Sequence, residues 1–217
     1  NYCFNSNRIG KIILTFTAFP CCFPGFHLGS FLITRTASWF NAEYLLAILD
    51  ACGVDKAVLG GHSLGGFMSL AFYLQHAARM RGLMLFNTGP GYKSDAARAD
   101  WNLMTEKQAR AFARKGLDAV GHSEEMQLGK HRTALGLEHG ARGMLAQNDA
   151  RVIDALPHVG VPALVLVGEK DRGYLAAADY MTQKIPNAQK SLIADAGHAA
   201  NIHQPAAFNH AMADFLQ

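Results

Sequence analysis

The amino-acid sequence predicts an α/β fold, a mostly parallel sheet with helices on both faces. Three observations predict it. Short apolar runs stand at 57–59, 82–86, 163–167 and 189–194, each of a length that suits a buried strand. Segments with helical spacing follow them, at 64–77, 174–184 and 205–216, where a meander would show tight turns. The alternation of strand and helix implies parallel strands joined by crossover helices. With 217 residues, 50% hydrophobic and 17% charged, the chain can build one sizeable core and is too apolar for disorder.

In chain order, the first strand-like run is Ile12 to Phe19, with the β-branched residues Ile12, Ile13, Thr15 and Thr17. "RIGKIILTFTAFPCC" sets basic residues before a short apolar run, as a signal peptide does. It lacks a small-residue cleavage site, and Pro20 directly before Cys21 spoils a lipoprotein-type site. No run approaches the ~18 apolar residues that span a bilayer, so no membrane partner is expected. Cys3, Cys21, Cys22 and Cys52 have neither zinc-site nor thioredoxin-like spacing. Buried free thiols in a reducing, cytoplasmic compartment are the expectation.

Tyr44, Leu45, Ile48, Leu49 and Cys52 share one helical face, and Gly53 is placed to end that helix. Between Asn87 and Pro162 there is no strand signal, only polar-rich helical stretches such as "DAARADWNLMTEKQARAFARKG". The expectation is a single domain over 1–217 with a helical lid inserted at about 88–160. Trp101, Leu103, Met104, Phe112, Met126, Leu128, Met144 and Leu145 are candidates for a pocket lining, but most are expected simply to pack the lid. The 20 basic residues stand singly among 17 acidic ones, which argues against a nucleic-acid partner.

"GGHSLGG" at 60–66 carries the chemistry. A serine attacks an acyl carbon when its hydroxyl is held clear of the backbone, beside a base, with amides facing the developing oxyanion. A sharp strand-to-helix turn does this, and the strand before Ser63 and the helix after it supply that context. Gly61 and Gly65 remove side chains that would collide, and Leu64 can offer its amide to an oxyanion. In a chain with 21 glycines a structural turn is the competing explanation. The partners favour the nucleophile. "VLVGEKD" places Asp171 just past the third of these runs, and "DAGHAANIHQP" places His198 just past the fourth, both at the carboxyl edge that Ser63 occupies. His198 would be the base and Asp171 the acid that orients it. Asp195, three residues from His198, and Glu169, one residue past the strand, are the competing acids, and Asp171 is favoured over both on geometry. His62 is expected to pack or line a pocket, while His203 and His210 lie on or near the last helix. His198 and His203 are five apart with no acidic companion at a recognised spacing, so no metal site is expected.

At these residues the sequence resembles the α/β-hydrolase family of serine esterase and lactonase type. "GGHSLGG" matches its nucleophile elbow, "GEKD" its acid loop and "DAGHAANIHQP" its histidine loop, and "FPGFHLGS" at 23–30 is similar to the loop after its fourth strand. The resemblance implies an eight-stranded sheet, a lid between strands six and seven, no cofactor, and hydrolysis of a small molecule through an acyl-enzyme. It also implies three strands and an H-G loop upstream of that loop. No H-G pair occurs before Gly60, and Cys22 stands where the family carries Asp, so a shortened or diverged N-terminus is expected. The family sets its third strand between its fourth and fifth. Ile12 to Phe19 is the run available to fill that slot, and it is expected to pair with Ala57 to Gly60. The amide of Cys21 or Cys22 would then replace the missing oxyanion donor. A small carboxylic ester or lactone is the expected substrate. The alternative is a catalytically weak or inactive ligand-binding protein on the same scaffold, which the missing H-G loop favours.

Overall fold

The computed structural model describes residues 3–5, 12–17, 37–122, 124–129 and 131–217. Six strands form one sheet: β1 (Cys3–Asn5), β2 (Ile12–Thr17), β3 (Ala57–His62), β4 (Met80–Phe86), β5 (Ala163–Gly168) and β6 (Ala188–Ile193). They lie side by side in chain order. β1 runs antiparallel to β2, and every other pair is parallel. The four later strands fall on the four apolar runs, and the glycines of "GG" at 60–61 extend β3 as far as His62.

The slot beside the serine-bearing strand is filled as expected. Ile13 pairs with Val58, Leu14 with Leu59, Thr15 with Gly60, Phe16 with Gly61 and Thr17 with His62. A gap there would leave a central strand with unpaired ladder groups, at roughly 1–3 kcal/mol for each one buried. One expectation needs correction. Ile12 to Thr17 is not the first strand, because Cys3–Asn5 precedes it and pairs with it at Cys3 to Leu14, Phe4 to Ile13 and Asn5 to Ile12. That pairing satisfies ladder groups on the side of β2 away from β3. Six strands stand in the sheet among the described residues, in keeping with an N-terminus shortened relative to the eight strands of the family.

The helices are α1 (Ala37–Ala51), α2 (Leu64–His76), α3 (Asp95–Lys115), α4 (Glu124–Leu128), α5 (Ala134–Gly143), α6 (Arg151–Asp154), α7 (Leu175–Lys184), α8 (Ala200–His203) and α9 (Pro205–Phe215). α1 turns Ala42, Leu45 and Leu49 inward. Tyr44 and Cys52, expected on the buried face, are exposed. Gly53, at φ 65°, ends this helix, its amide bonding to Asp50 and that of Val54 reaching back to Leu49, and Cys52 is carried outward in the turn.

Successive parallel strands step in one direction, the arrangement in which right-handed crossovers set their connecting helices on a common face. α2 packs on β3 and β4, and α7 on β5 and β6. Leu59, Leu83, Leu85 and Val165, on one parity of their strands, are wholly enclosed. The other parity contributes Val58, Met84, Phe86, Leu164, Leu166 and Ile193 to a core with Phe208 of α9, flanked by Ala211, Met212 and Phe215. Each such side chain contributes about 1.5–3 kcal/mol by leaving water. With both faces covered, the chemistry falls to the strand ends.

The chain clusters into two compact units. One contains the sheet with residues 41–91 and 151–217, and the other contains, among the described residues, 37–40 and 92–150. In the second, α3 packs on α5 and encloses Ala109, Phe112, Leu137 and Ala141. Trp101 donates its indole N–H to the Leu145 carbonyl at 2.6 Å. Leu103, Met104 and Leu128, three of the eight candidates for lining a pocket or packing the lid, are exposed, because α3 and α4 present these positions away from the small core of this unit.

Candidate active site

Ser63 stands at the junction of β3 and α2 with φ 53° and ψ −119°. A residue with a Cβ in this region costs roughly 1–3 kcal/mol and persists only where its surroundings enforce it. They do so here. The Ser63 amide donates to the Phe86 carbonyl at 2.9 Å, and its own carbonyl accepts from Gly66 at 3.0 Å and from the Thr88 hydroxyl at 2.5 Å. A Cβ on Gly61 would lie 2.0 Å from the Gly65 carbonyl carbon, and one on Gly66 would lie 2.4 Å from Thr88. Glycine is therefore required at 61, as expected, and also at 66, whose neighbour across the turn is invisible in the motif.

The amides of Gly66 and Phe67 are engaged by the Ser63 carbonyl. Among the described residues neither the Leu64 amide nor the Ser63 hydroxyl makes a hydrogen bond, so the hydroxyl is not joined to His198, whose ring bonds to Asp171 through Nδ1. Cys21 and Cys22, the expected second oxyanion donors, lie outside the described residues.

Asp171 and His198 are brought together. Nδ1 of His198 lies 2.9 Å from Oδ2 of Asp171, which is 8% exposed. An ionised carboxylate only accepts, so Nδ1 carries the proton and Nε2 is left as the basic nitrogen. Burial pushes the Asp171 carboxyl upward, but hydrogen bonds from His198 and Asn87, with the charges of His198 and His62, outweigh it and hold the group below its ordinary range. The competing acids are engaged elsewhere. Asp195 pairs with Lys170 at 2.8 Å, and Glu169 accepts the Asp195 amide at 3.0 Å. The acid and histidine loops also meet backbone to backbone: a Cβ on Gly168 would lie 2.3 Å from the Gly197 carbonyl oxygen.

Three side chains hold the loop that carries His198. Nε2 of His62 donates to the His198 carbonyl at 2.7 Å, and the two rings lie 4.7 Å apart. Nδ1 of His203 accepts the Gly197 amide at 2.9 Å. Asn87 donates to Asp171 and to the Gly197 carbonyl. Tyr174 stacks on the His198 ring at 4.9 Å. His210 is remote from this chemistry, pairing with Asp214 on the exposed side of α9 at 3.3 Å. Sequence reasoning gave His62 and His203 no such part and missed Asn87. The available signal for Asn87 was its position, one residue past β4 at the same sheet edge.

A mostly parallel sheet carries a serine on a strained strand-to-helix turn and a paired histidine and aspartate past two later strands, an arrangement of α/β-hydrolase type. The alpha/beta hydrolase family model matches residues 14–211, and the chain belongs to that family. It is 28% identical over 210 residues to the 2-hydroxy-6-oxononadienedioate/2-hydroxy-6-oxononatrienedioate hydrolase of Burkholderia vietnamiensis, a match covering 87% of this chain and 72% of that protein. It is 27% identical over 204 residues to 3-oxoadipate enol-lactonase 1 of Acinetobacter baylyi, covering 88% and 75%. Among solved structures, the malate-bound thermophilic esterase from Thermogutta terrifontis matches with a TM-score of 0.69 and 27% identity, over 88% of this chain and 76% of that one.

Proposed function

We propose that the protein is a serine hydrolase that cleaves a small carboxylic ester or lactone through an acyl-enzyme. The observation that carries this reading is the Asp171–His198 hydrogen bond at the sheet edge where the turn presents Ser63. Nε2 of His198 takes the Ser63 proton as Oγ attacks the acyl carbon, and the Leu64 amide faces the oxyanion that forms. Collapse expels the alkoxide, which receives the proton from His198, and for a lactone both parts remain joined on the enzyme. Water, deprotonated by His198, then releases the acid and restores Ser63. The esterase and enol-lactonase among the relatives support ester or lactone chemistry. In this reading the inserted helices serve as a lid, no cofactor is used, and the unpaired thiol of Cys52 fits a cytoplasmic setting.

A fluorophosphonate probe and a panel of short and medium chain esters test it. Ser63 should be labelled, and Ser63→Ala should lose both labelling and turnover while keeping the parent's circular dichroism spectrum and melting behaviour. Labelling elsewhere, or turnover surviving in Ser63→Ala, overturns the reading and favours a ligand-binding protein on this scaffold.

A further inference from the structure

Asn87, immediately after β4, is wholly enclosed, and its φ of 45° lies in the left-handed region. Its Oδ1 is buried with no hydrogen-bond partner among the described residues. A left-handed residue and an orphaned acceptor both oppose folding, so such a placement calls for a compensating role. The other end of the amide shows one. Nδ2 lies 2.7 Å from Oδ2 of Asp171 and 3.2 Å from the carbonyl of Gly197. Oδ2 is the same oxygen that faces Nδ1 of His198, and Gly197 directly precedes that histidine. The amide's orientation follows from its partners, since exchanging its oxygen and nitrogen would set an acceptor against two acceptors.

We propose that Asn87 is a positioning residue of the hydrolytic site, whose side-chain amide fixes the oxygen that Asp171 turns to His198 and holds the loop that carries His198. The proposal rests on the reading of Asp171 and His198 as acid and base. A carboxylate accepting from both Asn87 and His198 at one oxygen cannot rotate without losing both bonds. The amide also favours the ionised form, which keeps the Nδ1 proton on the histidine.

Two variants test this, with the rate of fluorophosphonate labelling at Ser63 measured across pH. Asn87→Gly accepts the left-handed φ and removes the donor, and should label about 10- to 100-fold more slowly, the usual worth of a hydrogen bond to a charged group. Asn87→Asp keeps the shape but sets a second carboxyl against Asp171. While the pair shares a proton, the new group can donate as the amide did. Once that proton leaves, the carboxylates repel, so labelling should acquire a descending limb as pH rises that the parent lacks. A residue that only spaces the loop changes neither the rate nor the shape of the profile. Asn87→Asp, isosteric and tolerant of the same φ, keeps the test decisive if Asn87→Gly fails to fold. Parent rates and profile in the folded variants, with Asp171→Asn strongly impaired, overturn the proposal and leave the site reading standing. An unimpaired Asp171→Asn overturns the site reading itself.

Discussion

The sheet unit and the inserted helices at 92–150 use polar side chains in opposite ways. At the sheet edge His62, Asn87 and Asp171 are at most 9% exposed, and each makes a hydrogen bond to another loop. In the insertion Glu106 pairs with Arg110 at 2.8 Å and Arg142 at 2.9 Å, Arg142 also pairs with Glu138, and these groups lie near the surface. Buried polar groups must find partners, so each fixes the position of another. Surface pairs are screened and replaceable. The difference teaches that buried polar groups fix one another's positions at the proposed site, while the exposed pairs of the insertion constrain geometry far less.

The sharpest break of this contrast lies within the sheet unit, between its buried and its exposed aspartate. Asp171→Asn should lower kcat/KM on the order of 10⁴, because an amide there permits the wrong histidine tautomer. Asp195→Asn, which removes only the exposed pair with Lys170, should change it little. The reverse ranking, measured on the same ester, would make Asp195 the acid. The Asp171 carboxyl is held below its ordinary value, so the stability it adds is present above the unfolded value of about 3.9 and is lost as pH falls through the lower folded one. Acid denaturation should therefore begin later for Asp171→Asn relative to its own neutral stability.

Glycines sharpen the contrast between the units. Gly61→Ala drives a Cβ to within 2.1 Å of the Gly65 carbonyl carbon and oxygen, and should cost about 3 kcal/mol in urea unfolding. Gly140→Ala in α5 meets nothing within 4 Å and should stabilise its helix by up to about 1 kcal/mol. Equal effects would show that the two units are held with the same stringency.

The smallest effect belongs to Glu106, whose pKa is lowered to about 2 by hydrogen bonds from Arg142 and Arg110. The advantage of the parent over Glu106→Gln should be slight, present above the ordinary glutamate value of about 4.3, and lost as pH falls toward about 2. Thermal melts across acid and neutral pH, repeated at high salt, read it. A difference that resists salt would mean that the insertion also relies on fixed charge.

Most of the fold was legible because strand and helix periods are local. The runs at 57–59, 82–86, 163–167 and 189–194 became β3 to β6, and the pairing of β2 with β3 was expected from the strand order that the family resemblance implies, with a central ladder to fill. β1, three residues long, has too short a period to read. Exposure of Tyr44 and Cys52 was not legible either, because a helical face shows which residues align but not how far its neighbours reach. Ser63, Asp171 and His198 could be read as candidates from residue type and position past a strand. Asp171 was also favoured over Asp195 and Glu169 from its position past a strand, but its contact with His198 is visible only in the tertiary structure. Asp195 is nearer to His198 in sequence, yet Lys170 and Glu169 engage its loop while Asp171 turns to the ring. Asn87 and His62 reach partners 84 and 136 residues away, and Gly66 and Gly168 are required by atoms of Thr88 and Gly197. The sequence by itself therefore determined the strands from β2 to β6, the turn and the chemical groups at one sheet edge, because these depend on neighbours in the chain. Only the tertiary structure decided which of those groups touch, because a hydrogen bond between distant loops leaves no period in the sequence.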